Sequence, residues 1–268
     1  MAIITRQFGD LVYLVDEQIP VPHAFTTRLG GVSEGIYASL NLRQNLGDDP
    51  AAILENYNRI TAALGTRNED LVFSRQVHGD AVRAVGPADQ FGDIFRAVAW
   101  EADGLVTAER DVALAVFTAD CIPVLLWDAS TGAVGAVHAG WRSTVLDIVG
   151  KAVGKLMEFG ADPQTIRAAI GPGIGACCFE TGSEVSAAVR AILGEEAEDS
   201  IRELEDGKAV VDLKEVNRRL LVRAGLLPAH ITVAVECTMC LPDLFWSHRV
   251  TEGLRGAQAA MIVMRETE

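Results

Sequence analysis

The sequence predicts an α+β fold, in which a mixed β-sheet is layered with helices in a single domain over residues 1–268. Short apolar runs rich in β-branched residues alternate with segments of helical spacing. Several runs follow one another closely enough to form hairpins, unlike the regular strand–helix alternation of a doubly wound sheet. Apolar residues make up 49% of the chain and charged residues 22%, which is typical of folded proteins.

The first part of the chain predicts two short strands, one helix and a strand pair. The helix spans residues 49–64, because Ile53, Tyr57 and Ile60 share one face, Pro50 suits a first turn and Gly65 ends the pattern. The predicted strands are 3–8 and 11–15, followed by 71–77 and 81–85 as a pair around Gly79 and Asp80.

The rest of the chain also alternates short apolar runs with segments of helical spacing. A helix is predicted to begin at Ser143 or Thr144 and to end at Gly160, and another is capped by Asp212 and stopped by Gly225. The predicted strands are 112–118, 123–128, 133–138, 166–170, 231–237 and 259–264, and the helices are 143–160, 183–193 and 212–224.

Charge restricts the classes of partner. The chain has 23 Lys and Arg against 37 Asp and Glu, a formal net charge of −14. We expect neither nucleic acid nor an anionic membrane as partner, because both require a basic face. The sequence shows no secretion signal, no apolar run of ~20 residues and an odd number of cysteines, five, so we expect a cytoplasmic monomer or small homo-oligomer.

Cys121 and two histidines form the candidate reactive centre. If residues 123–128 and 133–138 form a hairpin closed by a four-residue loop, the numbers of paired residues sum to 261. Pro123 is then opposite His138, and Cys121 lies at the same open end and on the same face as His138. His78 ends another apolar run and is the best third partner.

This trio is compatible with two chemistries. Three protein ligands with an open fourth position are typical of a catalytic zinc site, and copper also accepts Cys and His ligands. Without a metal, Cys121 activated by His138 would form a nucleophilic dyad. The residue pattern alone leaves both open.

The other four cysteines give weaker signals. Cys237 and Cys240 form a single CxxC, whereas a structural zinc site requires two such pairs. Cys177 and Cys178 are adjacent and follow a glycine-rich run. We expect all four to serve in packing.

Basic residues in glycine-flanked motifs indicate an anionic ligand. Arg28 lies in TTRLGG, Arg142 follows His138 at a predicted helix start, and Arg249 follows His248. Backbone amides at a helix start favour an anion. In a chain of net charge −14, such a site must be a local basic pocket.

Several motifs together resemble the laccase-domain family of small zinc proteins, whose members are also called purine nucleoside phosphorylase, polyphenol oxidase or peptidoglycan-editing factor. The matching segments run in order through nearly the whole chain and are HAFTTRLGGVSEGIYASLNL (23–42), GDDP (47–50), QVHGD (76–80), ADGLVT (102–107), TADCIPVLL (118–126), AVHAGWRST (136–144), GPGIGACCFE (171–180) and CTMCLPDLFWSHR (237–249).

The resemblance implies a cytotoxic-necrotizing-factor/laccase-domain-like fold with zinc, or alternatively copper, on His78, Cys121 and His138. The implied activity is phosphorolysis of adenosine, inosine, guanosine and methylthioadenosine, with adenosine deamination as a side activity. The implied partners are thus a purine nucleoside and phosphate. Asp120 is expected to act as acid or base, and a cap or turn role is equally open for it. Arg28, Ser33, Asn41, Arg142 and Arg249 are expected as phosphate and ribose contacts.

Two other functions stay open. One is a metal-free hydrolase that uses Cys121 and His138 on cell-wall precursors, and the other is a copper-dependent polyphenol oxidase. The copper function is disfavoured because a blue-copper site requires an axial Met, and only Met239 is near these motifs. The chain departs from the family pattern at Ser143, Val250 and Ala257. In the last motif, which reads GLRGA (253–257), the family's arginine is displaced or missing.

Overall fold

The structure is a computed structural model that describes residues 2–265. Within this range it has fifteen strands and six helices, together with short 3-10 turns. The helices are α1 (Pro50–Ala63), α2 (Trp141–Val145), α3 (Ile148–Glu158), α4 (Ser183–Leu193), α5 (Leu213–Arg223) and α6 (His248–Thr251). The strands are β1 (Ile3–Phe8), β2 (Leu11–Asp16), β3 (His23–Thr26), β4 (Leu71–Val72), β5 (Val82–Ala84), β6 (Gly104–Thr107), β7 (Ala113–Thr118), β8 (Ile122–Asp128), β9 (Val134–Ala139), β10 (Ile166–Ile170), β11 (Glu180–Thr181), β12 (Ile201–Glu203), β13 (Ala209–Val211), β14 (Ile231–Val233) and β15 (Gln258–Val263).

The strands form two large mixed sheets and one small sheet. The first sheet has the order β1-β2-β3-β15-β7-β4, and the second has the order β14-β10-β8-β9-β6-β5. Both contain parallel and antiparallel pairs. The small sheet has the order β11-β13-β12. The predicted α+β class with mixed sheets and helices is therefore confirmed.

Both faces of the inner strands of the second sheet, such as β8 and β9, are buried, which explains why these strands read as continuous apolar runs. Leu125 of β8 packs into a core shared with the first sheet and α1. Its neighbours Val124 and Leu126 pack into a second core, which contains the apolar faces of α3, α4 and α5. Successive side chains of a strand point to opposite faces, so one strand supplies both cores.

The β8–β9 hairpin has the predicted register. Pro123 is paired with His138 and Val124 with Val137, so paired residue numbers sum to 261. Asp128 closes the turn, where its backbone amide donates to the carbonyl of Ala133. The hairpin therefore places Cys121 just beyond the start of β8, beside the end of β9.

Three predicted elements differ from the structure in pairing, continuity or length, and β3, β6, β11, β12, β13 and α6 have no predicted counterpart. The pair 71–77 and 81–85 is wrong, because β4 joins β7 in the first sheet whereas β5 joins β6 in the second. The helix expected from residue 143 is interrupted, since the left-handed residue Asp147 ends the short helix α2 and caps α3. The strand expected over 231–237 ends at Val233.

Within residues 2–265, none of the helices combines the length and apolar character needed to cross a bilayer.

Candidate active site

Three side chains from separate parts of the chain meet at one end of the second sheet. His78 comes from the connection between β4 and β5, Cys121 from the turn between β7 and β8, and His138 from β9. One ligand atom of each lies within 4.8 Å of the other two. Cys121 Sγ lies 3.8 Å from His78 Nε2, and the two imidazole rings meet edge to face. The structure thus brings together the three residues that the sequence indicates.

The backbone around the trio adopts conformations that place these side chains. His78 and Asp120 both have positive φ, of 59° and 87°, which turns the chain sharply just at or before a ligand. Gly140 follows the end of β9, and a Cβ there would lie 2.8 Å from Cδ2 of His78 and 3.2 Å from Sγ of Cys121. Only glycine leaves room for the two ligands at this position.

Asp103 holds two of the three ligands in place. Its Oδ1 lies 2.7 Å from Nδ1 of His138 and accepts a hydrogen bond from the backbone amide of His78. Its Oδ2 accepts from the amides of Val77 and Gly79. Burial would raise the pKa of Asp103, but these hydrogen bonds outweigh it and lower the pKa. Nothing in the sequence singles out Asp103 beyond its place in the ADGLVT motif.

The electrostatics of the trio favour a thiolate at Cys121. Burial opposes ionisation of the thiol, but the charge and hydrogen bonds of His138 and His78 outweigh it and lower the pKa of Cys121. Burial likewise opposes charge on His138, and Cys121 and Asp103 overcome it and raise the pKa of His138. A thiolate is the form of cysteine that acts as nucleophile and as metal ligand.

The donor set fits a zinc ion. Zn–S and Zn–N bonds of about 2.3 and 2.0–2.1 Å at a tetrahedral angle separate the donor atoms by roughly 3.6 Å, close to the 3.8 Å between Cys121 Sγ and His78 Nε2. Since Nδ1 of His138 is held by Asp103, Nε2 is left as its ligand atom. A carboxylate behind a ligating histidine is a recurring feature of zinc sites.

A cavity of about 420 Å³ opens onto the trio. Its walls contain apolar, aromatic and basic side chains from both large sheets and from the C-terminal loops. The lining residues are Arg43, Leu46, Gln76, His78, Phe117, Thr118, Ala119, Asp120, Cys121, His138, Trp141, Ile174, Phe179, Leu213, His248, Arg249, Arg255 and Ala257.

Three arginines line this cavity, and none forms an ion pair with a carboxylate within residues 2–265. The side chain of Arg249 donates only to the carbonyl of Glu180 within the described residues. Arg255 donates to the carbonyl of Gly256, and its buried Nε has no partner in this part of the chain. The side chain of Arg43 has no hydrogen-bond partner in the described residues. Of these three arginines, the sequence predicts only Arg249 as a substrate contact, because no local pattern shows which arginines face a cavity.

Two predicted phosphate contacts lie outside the cavity lining. Arg28 stacks on Trp246 and donates to the carbonyls of Ala38 and Pro242. Each of its three guanidinium nitrogens is therefore engaged in a hydrogen bond within the protein. Arg142 is exposed and stacks on the ring of Trp141. The two residues therefore do not join the trio.

Ser33 and Asn41 are buried behind the cavity wall. Both donate to the carboxylate of Asp48. Asn41 also accepts from the backbone amides of Arg43 and Ala257, two residues that line the cavity. Ser33 and Asn41 therefore help to hold the cavity wall in place, and neither of them lines the cavity.

Asp120 lines the cavity, but both of its carboxylate oxygens are engaged within the protein. Oδ1 accepts from the hydroxyl of Thr238, and Oδ2 accepts from the hydroxyl of Ser247 and the amide of Arg249. These bonds join the β7–β8 turn to the loop that carries Arg249. Asp120 therefore connects the turn to this loop, as in the turn role that the sequence left open beside an acid or base role.

The three departures from the family pattern lie in different surroundings. Ser143 is fully buried in α2, and its hydroxyl has no partner within residues 2–265. Val250 is 44% exposed in α6. Ala257 lines the cavity between Arg255 and the start of β15.

Comparison with known proteins relates this geometry to a family. The purine nucleoside phosphorylase of Deinococcus radiodurans is 41% identical over 252 residues, which cover 93% of this chain and 92% of that protein. Adenosine deaminase RL5, from an unknown prokaryotic organism, is 35% identical over 229 residues, covering 84% of this chain and 87% of that protein. The crystal structure of the Bacillus licheniformis hypothetical protein YfiH superposes with a TM-score of 0.92 at 34% identity, covering 97% of this chain and 99% of that one. The family model described as multi-copper polyphenol oxidoreductase laccase matches residues 22–265, and the chain therefore belongs to that family.

Proposed function

We propose that this protein is a zinc-dependent purine nucleoside phosphorylase, which uses inorganic phosphate to convert a purine nucleoside into the free base and ribose 1-phosphate. The observation that carries the proposal is the group of three arginines without carboxylate partners beside the His78, Cys121 and His138 trio. The names of the relatives support the nucleoside substrate. Cleavage of a glycosidic bond by phosphate requires an anion site and a reactive centre in one cavity.

His78, Cys121 and His138 would hold the zinc ion. When bound, the ion supplies Lewis-acid chemistry that polarises an atom of the substrate. Asp103 keeps the imidazole of His138 oriented with Nδ1 away from the ligand position. A copper oxidase is less well supported, because no methionine is among the residues that line the cavity in the described chain.

Arg43, Arg249 and Arg255 would bind phosphate, since a guanidinium presents paired N–H donors to phosphate oxygens. In the reaction a phosphate oxygen forms a bond to C1′ of the ribose while the bond from C1′ to the purine nitrogen breaks. The electron pair of that bond leaves with the base, which takes up a proton. The arginines hold the nucleophile and stay charged throughout.

The apolar wall would take the purine ring. Phe117, Phe179 and Ile174 lie on the cavity surface, and apolar and aromatic side chains exclude water from a bound base. Asp120 positions Arg249 through its backbone amide and holds the loop against the β7–β8 turn. We therefore propose that Asp120 acts through Arg249, and assign it no proton transfer.

Adenosine deamination is a second candidate activity, favoured by the relative named adenosine deaminase. It would use the same zinc site with water in place of phosphate as co-substrate. Unlike phosphorolysis, it does not depend on the arginines for a nucleophile. The two activities can therefore be separated by omitting phosphate or by replacing an arginine.

The test is release of adenine from adenosine, measured with and without inorganic phosphate. We expect phosphate-dependent adenine and ribose 1-phosphate from the wild type, and loss of both with Cys121→Ala, His138→Ala or a strong chelator. His230→Ala is a matched control, because His230 does not line the cavity and its Nδ1 is buried without a partner in residues 2–265. Equal adenine release with and without phosphate would contradict phosphorolysis. Full activity in metal-free protein would instead favour the Cys121–His138 dyad.

A further inference from the structure

The other four cysteines meet at a second place in the fold. Cys177 and Cys178 come from the loop after β10, and Cys237 and Cys240 come from the loop after β14. Their four sulfur atoms all lie within 4.8 Å of one another. Cys240 Sγ is 3.5 Å from Cys177 Sγ and 3.3 Å from Cys178 Sγ, and none of the four forms a disulfide. The packing role expected from the sequence does not explain this convergence, since Cys177 and Cys240 are exposed.

The sheet topology brings the two cysteine pairs together. β10 and β14 are parallel neighbours, with Ile170 paired to Val233, so the loops that follow them start at the same edge. Gly173 and Cys237 continue this pairing as an isolated bridge, and the amide of Thr238 donates to the carbonyl of Gly173. The two pairs are distant in sequence, and only this parallel pairing makes them neighbours.

We propose that Cys177, Cys178, Cys237 and Cys240 form a second metal site, in which four thiolates hold one structural zinc ion. Tetrahedral Zn–S bonds of about 2.3 Å place the sulfurs roughly 3.8 Å apart, near the distances observed here. Four protein ligands leave no open coordination position, which is typical of a structural site. The sulfurs are too close together to enclose a polynuclear iron–sulfur cluster.

A backbone amide and a buried lysine lie beside these sulfurs. The backbone amide of Gly175 donates to Sγ of Cys237 over 3.2 Å. Such N–H donors stabilise the charged form of a thiol. Lys214 is buried nearby, where its ammonium group donates to the carbonyls of Ala234 and Glu236. It interacts electrostatically with Glu236 and Asp212 as well as with Cys237 and Cys177. Its positive charge offsets part of the net negative charge of a zinc ion with four thiolates.

This site would fasten two walls of the active-site cavity to each other. Ile174 and Phe179, on the first cysteine loop, line the cavity. Thr238, on the second loop, donates to the carboxylate of Asp120, and the amide of Ile174 donates to the backbone carbonyl of the same residue. The second zinc ion would share no ligand with the first. It would hold together the two loops that contribute to the cavity and its support.

The test is the zinc content of protein purified under reducing conditions, measured for the wild type, for Cys178→Ser combined with Cys240→Ser, and for Cys121→Ser. We expect about two zinc ions per chain in the wild type and about one in each variant. X-ray absorption at the zinc edge should show a four-sulfur shell in Cys121→Ser. That measurement does not depend on enzymatic activity, so it separates this proposal from the proposed reaction.

Two results would overturn the second site. One is zinc content unchanged by the double substitution. The other is a Cys121→Ser protein without zinc whose Cys177 and Cys240 form a disulfide once the reductant is removed, which would identify a redox pair. If the double variant does not fold, the wild-type absorption spectrum decides alone, because two sites predict about 2.5 sulfur ligands per zinc and the first site alone predicts about one.

Discussion

His138 Nδ1 lies 2.7 Å from Oδ1 of Asp103, and both side chains are almost completely shielded from solvent. The same carboxylate accepts hydrogen bonds from the backbone amides of Val77, His78 and Gly79. One buried group therefore orients two of the three candidate zinc ligands, one through its ring and the other through its backbone. The geometry of the candidate metal site therefore depends on this residue in addition to the three ligands.

Replacing Asp103 by Asn should weaken zinc binding by about 10- to 100-fold, because an amide cannot accept all four donors that the carboxylate accepts. The measurement is zinc affinity by competition with a chromophoric chelator. Asp10→Asn is the control, since Asp10 is exposed and absent from the cavity lining. Unchanged zinc affinity in the Asp103 variant would show that His78 and His138 are positioned by their own strands and turns.

Gly140→Ala should reduce zinc occupancy, because the added Cβ would occupy space beside Cδ2 of His78 and Sγ of Cys121. Gly154→Ala is a matched control in α3, where a Cβ meets nothing within 4 Å. Alanine there should stabilise the helix by about 0.5–1 kcal/mol. Zinc analysis and thermal unfolding of both variants provide the comparison. Full zinc occupancy in Gly140→Ala would mean that the ligands can move without losing the ion.

Arg255→Met should raise the KM for phosphate by about 10- to 100-fold, the equivalent of a lost hydrogen bond to a charged group of about 1.5–3 kcal/mol. Adenosine deamination without phosphate should change little in the same variant. Arg202→Met is the control, since Arg202 is exposed on β12 and absent from the cavity lining. A parallel loss of both activities would assign Arg255 to the support of the cavity, not to phosphate binding.

Asp128→Asn should destabilise the β8–β9 hairpin by about 2–3 kcal/mol at pH 7. The buried carboxylate accepts from Ser130, Thr131 and Thr165. Burial would raise its pKa, but these hydrogen bonds outweigh it and lower the pKa. A lowered carboxyl pKa contributes stability above the unfolded value of about 3.9, and this contribution is lost as pH falls through the folded value.

The free energy of unfolding, measured by urea titration for both proteins, should therefore differ most near neutral pH and converge in acid. The same difference at pH 3 and pH 7 would contradict an electrostatic origin and point to a steric effect of the amide. A hairpin loosened in this way should also bind zinc less tightly, because it carries Cys121 and His138 at its open end.

Sequence by itself determined the features that depend on neighbouring residues. The register of the β8–β9 hairpin follows from a short loop and the two-residue period of a strand, so the proximity of Cys121 and His138 is predictable from the order of residues alone. The helix α1 likewise follows from its periodicity, its Asp49 cap and the glycine that ends it. His78 is the best third partner because it ends another apolar run, and the family motifs imply the same ligand.

Tertiary structure decided what depends on contacts between distant segments. The parallel pairing of β10 and β14 brings Cys177 and Cys178 to Cys237 and Cys240, although each pair is a weak signal alone. The placement of Arg43 and Arg255 in the cavity, and of Arg28 against Trp246, depends on how loops from both ends of the chain pack. Spacing along a chain predicts local hydrogen bonding, whereas these placements follow from long-range packing, which no local pattern encodes.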